Sequence, residues 1–256
     1  MLRRCLVLAL MSWCCALPMR AAHAQTRAVV ELFTSQGCSS CPPADKLIGE
    51  LARDPSLVVM SIPIDYWDYL GWKDTLASPR NTARQKAYAR ARGDGQVYTP
   101  QAVVNGSVHA LGSDKAAIEQ AIAKTRKNGA MSIVPVTLGL REGSISIVLP
   151  ETEDAVSGEA WLCGLSRSAT IAIGRGENKG RSVTYHNVVR RWVKLGDWTG
   201  TDSTWNVPMS DIKTDDIDAA AVMVQEGTHD KPGIILGAAF TTLQTTDDGR
   251  QTTERK

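Results

Sequence analysis

The sequence predicts an α/β N-terminal domain over residues 25–129, followed by a β-rich, sandwich-like domain over residues 130–244. Three observations predict it. Apolar, β-prone runs alternate with segments of helical periodicity as far as Gly129. Beyond that glycine the texture changes to short alternating runs separated by polar turns. An apolar leader stands ahead of both, and a polar stretch without periodicity, Thr245 to Lys256, closes the chain as an expected flexible tail.

The leader opens with Arg3 and Arg4, continues as an apolar run from Cys5 to Leu17, and ends in Ala22-His23-Ala24 before Gln25. That is the layout of a cleavable signal peptide. Its 13-residue run, broken by Pro18 and Arg20, is shorter than the roughly 20 residues that span a bilayer. Cleavage near Ala24 is expected rather than stable membrane insertion, which puts the mature chain in the periplasm or outside the cell. Losing residues 1–24 takes three of the 29 basic residues and none of the 27 acidic ones, leaving 26 against 27 and a formal charge of −1. Nothing in that balance asks for nucleic acid.

Ala28 to Phe33 reads as a buried strand, and Thr34-Ser35-Gln36-Gly37 as the turn that follows it. Cys38 to Leu51 carries Leu47, Ile48 and Leu51 at helical spacing, with Pro42 and Pro43 near its start, where a missing N–H costs nothing. Leu57 to Ile64 is a second strand, and Pro79 to Arg92 a second helix whose Arg80, Arg84, Lys86, Arg90 and Arg92 read as a solvated face. Gln101–Val104 and Ser107–Ala110 flank Asn105-Gly106, a hairpin signal because both turn residues tolerate positive φ. Ser113 is the expected N-cap of a third helix with Ala117, Ile118, Ala121 and Ile122 on one face, ending near Asn128-Gly129. The second domain is read from Ile133–Leu140, Ser144–Leu149, Ala160–Leu165, Ser182–Arg191, Ala221–Gln225 and Ile234–Thr241.

Six cysteines shrink to three with the leader: Cys38, Cys41 and Cys163. So few thiols do not make a disulfide scaffold. Cys38-Ser39-Ser40-Cys41 has the spacing at which two thiols on the first turn of a helix close a disulfide, and the helix terminus favours the thiolate of Cys38. Cys38 is the expected nucleophile, and Cys41, less exposed, the resolving thiol. A structure in which the two side chains are walled off from solvent, or face apart with no peptide groove beside them, would count against this reading. The bland alternatives are a structural clip and half of a zinc site. A second C-x-x-C is absent, and His109, His186 and His229 do not stand at ligand spacings. No metal and no cofactor is expected.

Tyr98-Thr99-Pro100 enters the hairpin opposite the helix N-terminus, so Thr99 and Pro100 are candidate substrate-binding residues, with a cis peptide bond expected between them. Val29 to Cys41, Thr99-Pro100 and the hairpin resemble the thioredoxin superfamily, and strand, helix, strand, helix, strand, strand, helix is the element order of that fold. The wider pattern resembles a bacterial secreted family designated domain of unknown function 1223. It is carried by Glu31 to Asp45, by Tyr98 to Gln101, by Gly176-Glu177-Asn178 and by Tyr185 to Arg190. The resemblance implies a thioredoxin-like fold and thiol redox chemistry, and it names no substrate. It also implies a role for Glu31, which resembles the buried acid that helps deprotonate the second cysteine in thioredoxins; the alternative is a solvated carboxylate at a strand edge. The Ser-Ser dipeptide and Gly37 depart from thioredoxin itself.

Tyr66 and Trp67, in the cluster Tyr66-Trp67-Asp68-Tyr69-Leu70-Gly71-Trp72, are candidates for a partner-binding rim beside Cys38, or else pack a long loop. Cys163 reads as a buried, inert thiol. The glycine-rich stretch from Gly174 to Arg181 lacks the ending of a phosphate cradle and reads as a polar turn. The expected function is periplasmic thiol-disulfide exchange with protein or small-molecule thiols and disulfides. The alternatives are a secreted binding or adaptor module with a structural disulfide, and a copper-handling thiol protein.

Overall fold

The computed structural model describes residues 26–127, 134–141, 143–153 and 156–243. The expected leader and its cleavage point, the boundary near Gly129 and the expected tail lie outside the described residues.

Among the described residues the fold is mixed α/β and mostly strand, with one large mixed sheet and one small one. The N-terminal elements are β1 (Ala28–Thr34), α1 (Pro42–Leu51), β2 (Leu57–Pro63), α2 (Pro79–Arg92), β3 (Gln101–Val104), β4 (Val108–Leu111) and α3 (Lys115–Lys127), with a single 3-10 turn at Asp68–Leu70. Strands β5 (Thr137–Arg141), β6 (Ser144–Leu149), β7 (Gly158–Ala172), β8 (Ser182–Trp198) and β9 (Ser203–Pro208) follow, then the short α4 (Met209–Ile212), β10 (Ala219–Thr228) and β11 (Lys231–Thr242). The hairpin expected at Asn105-Gly106 forms, with both residues at positive φ. Asp114, one residue after the expected Ser113, caps α3 by accepting a hydrogen bond from Ala117 N–H.

The large sheet runs β11-β10-β7-β8-β2-β1-β3-β4. β1 pairs parallel with β2 and antiparallel with β3. The strands expected in a separate sandwich divide. Four of them extend the N-terminal sheet past β2, and the other two, β5 and β6, form the small sheet with β9, which was not expected. The junction is thin: β2 meets β8 in parallel at Ser61 and Val188. Beside it Asn187, at φ 48°, gives its side-chain amide to Val59 O at 3.0 Å, replacing a ladder bond with a side-chain one.

Alternation along the strands sorts side chains into layers. Val30 and Leu32 pack under α1 and α3 with Leu47, Ile48 and Ile118. Burying each of these aliphatic side chains stabilises the fold by about 1.5–3 kcal/mol. Val29 and Phe33 point the other way, into a core shared with Tyr88 of α2 and with Cys163, Ala221 and Met223 of the C-terminal strands. Over those strands the small sheet covers the opposite face, where Ile145 and Ile147 meet Leu162, Ala220 and Val222. Two sheets therefore do stack as a sandwich would, but the larger one belongs to both halves of the chain.

One expectation about α2 is corrected. Arg84 does not lie on a solvated face; it is 3% exposed, with its guanidinium 4.8 Å from the ring centres of both Tyr88 and Trp192. β10 and β8 bury the side of the helix that bears it.

Candidate active site

The turn after β1 delivers Cys38, and Cys41 takes the N-cap position of α1. The two are joined as a disulfide, with Cα atoms 5.4 Å apart. Cys41 N–H donates to Cys38 O at 3.2 Å, and Cys41 O accepts from Ala44 N at 2.8 Å and Asp45 N at 3.1 Å. Pro42 and Pro43 fill the first helical positions and carry no N–H. The free first-turn donors expected to favour a Cys38 thiolate are thus reduced. A neighbouring hydroxyl, Ser40 Oγ, lies 3.4 Å from Cys38 Sγ.

Trp67, Thr99 and Pro100 come to this turn as expected of a shared site. A Cβ on Gly37 would stand 2.9 Å from Trp67 Cβ, so the glycine next to Cys38 is what lets the indole pack there. Trp67 Nε1–H donates to Thr99 Oγ1 at 2.8 Å. The Thr99–Pro100 bond is cis. Pro100 is buried over the first turn of α1, since a Cβ on Gly112 would touch both Pro100 Cβ (3.1 Å) and Ala44 Cβ (3.3 Å). Tyr66 packs beside Trp67 at 6.1 Å between ring centres, and Tyr69, 76% exposed, stacks on its other side. Tyr98 OH meets His109 Nδ1 at 2.9 Å, and His109 Nε2 lies 3.4 Å from Asp94, which braces the segment entering Pro100.

Glu31 is not brought to the site. It lies on the Val29–Phe33 face of β1, away from α1, where Arg84 Nε donates to its Oε1 at 2.7 Å and Tyr88 OH donates to its Oε2. Strand alternation is the reason: an odd-numbered side chain on β1 cannot reach a helix that packs on the even-numbered face. Cys163 shares the Glu31 face, fully buried, and burial pushes its thiol up.

The acid on the cysteine side is Asp45, which sequence reasoning passed over. Cys41 has helical dihedrals and bonds to Asp45 N–H, so the two side chains share a face of α1 with Cβ atoms about 5–6 Å apart. Asp45 is 1% exposed. Its Oδ1 accepts from Thr34 Oγ1 at 2.7 Å, while its Oδ2 has no hydrogen-bond partner among the described residues. Burial pushes the carboxyl up to about 8, against the Thr34 bond and with help from Asp74. Asp74 is itself raised by burial, and Tyr185 is raised by burial and by these two acids.

Access is the second correction. Cys38 is 2% exposed and Cys41 fully buried, while Ser39 and Ser40 stand in solvent. Both side chains are walled off from solvent in the oxidised turn, the condition that counts against the redox reading, so exchange at this pair requires the turn to open. The polar turn expected at Gly174–Arg181 joins β7 to β8 and closes on this site: Asn178 Nδ2 donates to Gln36 O at 2.9 Å and to Cys38 O at 2.8 Å.

Residues 29–225 match the family described as protein of unknown function DUF1223. The chain belongs to that family. A similar structure is known from crystallography: a protein of Agrobacterium tumefaciens, 32% identical, superposes with a TM-score of 0.77 over 86% of this chain and 96% of its own. No curated protein matches. The DUF1223 match runs through both halves of the chain, as the site does, because Asn178 and Tyr185 reach it from the C-terminal strands. Among the described residues no group of three or more His, Cys, Asp or Glu side chains stands close enough to hold a metal ion, and no helix is long and apolar enough to cross a membrane.

Proposed function

We propose that this chain is a thiol-disulfide oxidoreductase of the periplasm or the extracellular space, built on a thioredoxin-like β2-β1-β3-β4 sheet. The observation that carries the reading is the Cys38–Cys41 disulfide at the start of α1 with Trp67 and Thr99-Pro100 packed around it. A partner thiolate attacks Cys38 Sγ, the Cys38–Cys41 bond breaks, and Cys41 leaves as a thiolate. At so buried a position that thiolate needs a proton, and Asp45 holds one on the same helix face. A second partner thiol then attacks the mixed disulfide at the partner's sulfur and frees Cys38. Two electrons pass from the partner dithiol to the pair, and the partner leaves oxidised. In the opposite direction ionised Asp45 takes the proton from Cys41 as it attacks. Thr99 and Pro100 seat the partner backbone, and Tyr66 and Trp67 form the rim.

Thiol trapping tests this reading. Cys41→Ser is expected to accumulate a mixed disulfide through Cys38, and Cys38→Ser to accumulate none. Silence from both variants overturns catalysis. The 2% exposure of Cys38 favours a second reading, a binding module in which the disulfide only fixes the turn. Equilibration with glutathione separates the two, because a structural clip stays oxidised at glutathione potentials where an exchanging pair opens.

A further inference from the structure

Attack on a disulfide requires the nucleophile to line up with the bond it breaks, and the oxidised turn offers no such approach. The backbone of that turn is pinned from the far half of the chain. Cys38 O accepts two hydrogen bonds, one from Cys41 N within the turn and one from Asn178 Nδ2, 140 residues away. The same amide nitrogen holds Gln36 O. Asn178 is 1% exposed, and its Oδ1 accepts from Arg181 Nη1 at 3.1 Å, so both ends of the carboxamide are engaged.

The loop that carries Asn178 is closed on itself. Ile173 N donates to Arg181 O at 2.9 Å, and Gly180 N to Ile173 O at 2.8 Å. It is also seated from below. Trp72 Nε1 donates to Gln36 Oε1 at 2.7 Å, and its ring lies where a Cβ on Gly174 would come within 3.0 Å. Gln36 is thereby held at its carbonyl by Asn178, at its side chain by Trp72 and at its N–H by Asp74 Oδ2 at 2.8 Å.

We propose that the β7–β8 loop, residues 173–181, is a latch over the disulfide turn and that Asn178 is its positioning residue, so that Cys38 becomes attackable when Asn178 lets go of the Gln36 and Cys38 carbonyls. The proposal rests on the exchange reading above and extends it: the C-terminal half sets access to the pair, and a partner that is to be processed engages this loop as well as the Trp67 rim.

The test is the rate at which a water-soluble phosphine reduces the oxidised full-length protein, followed by alkylating the thiols that appear. The phosphine attacks sulfur, becomes the oxide with oxygen from water, and leaves the dithiol. In the wild type the observed rate is expected to level off with phosphine concentration, because opening limits it. Asn178→Ala loses three hydrogen bonds, two of them the donor contacts to the turn, and the plateau is expected to rise about tenfold. Asn178→Asp keeps the shape but replaces the donor with an acceptor, and the same rise is expected. Arg181→Ala removes only the bond to Asn178 Oδ1, leaves both donor contacts intact, and is expected to raise the plateau about threefold. Thermal unfolding shows which variants remain folded, and the comparison uses those.

Rates linear in phosphine, with the same second-order constant in the wild type and every folded variant, overturn the latch. That failure is separate from a failure of the exchange reading, since phosphine reduction runs to completion whatever the potential of the pair. A saturating wild-type rate whose plateau Asn178→Ala and Asn178→Asp raise, beside a pair that glutathione never opens, leaves the latch standing and removes the exchange; a plateau that neither variant moves overturns the latch.

Discussion

Glu31 and Asp45 are both buried carboxyls beside the first strand, and they lie on opposite faces of one sheet. Glu31 is met by a guanidinium and a phenol, and the network continues from Arg84 to Gln225 Oε1 at 3.0 Å. Asp45 is met by one hydroxyl and keeps an oxygen bare. Equal burial therefore gives opposite chemistry. The first acid is ion-paired and ties β1 to α2. The second is a proton holder beside a cysteine, because no cation compensates its desolvation. The resemblance to thioredoxins pointed to Glu31, and the partner set points to Asp45.

The comparison can be broken most forcefully at Arg84. Arg84→Met leaves Glu31 buried against Tyr88 without its cation, and a loss of about 3–5 kcal/mol is expected in urea unfolding. Replacing Glu31 with Leu in that background recovers most of it. A loss under about 1 kcal/mol would show that the Glu31–Arg84 pair does not hold β1 to α2.

Asp45→Asn is the next largest. The folded chain holds the Asp45 proton up to about pH 8, whereas an unfolded carboxyl releases it near 3.8. The folded value is the raised one, so its contribution is complete below about pH 4 and is lost as pH climbs towards 8. Asparagine imitates the protonated acid, and about 1–3 kcal/mol of added stability at pH 7.5 is expected, with little change at pH 4. The same variant is expected to slow exchange by about 10²-fold and to erase the rate's dependence on pH near 8. Parallel pH profiles for variant and wild type would remove Asp45 from the proton path.

Thr34→Val sharpens the contrast at the smallest scale. It takes away the single donor to Asp45, and a loss of about 1 kcal/mol is expected, growing above pH 8 where the carboxylate would lose its only hydrogen bond. A loss that does not vary with pH would mean that Asp45 does not ionise in the folded chain.

Much of the architecture was legible. Leu47, Ile48 and Leu51 announce α1 by their spacing, and Asn105-Gly106 announces the β3–β4 turn, because helical period and turn chemistry are local properties. The boundaries of β1, α2 and β3 fall within a residue of where the pattern places them. β9 and α4 were not legible: Ser203–Pro208 alternates too weakly and Met209–Ile212 is one turn long. Of the candidate site, Cys38, Cys41, Trp67, Thr99 and Pro100 gather as the motif suggests. Asp45 lay in plain view one helical turn after Cys41, and that i, i+4 spacing was the signal that could have found it.

The sequence by itself determined the element order of the first half, the cysteine pair at a strand-to-helix turn, and the proline facing it. These follow from interactions within a few residues, or within one hairpin. Only the tertiary structure decided which acid shares a face with Cys41, that Arg84 is buried, and that a loop from the far half bonds to the Cys38 carbonyl. Each of those depends on which face of a strand meets which neighbour. Residues such as Asn178, Tyr185 and Asn187 acquire their partners only when β8 comes to lie beside β2, more than a hundred residues away in the chain.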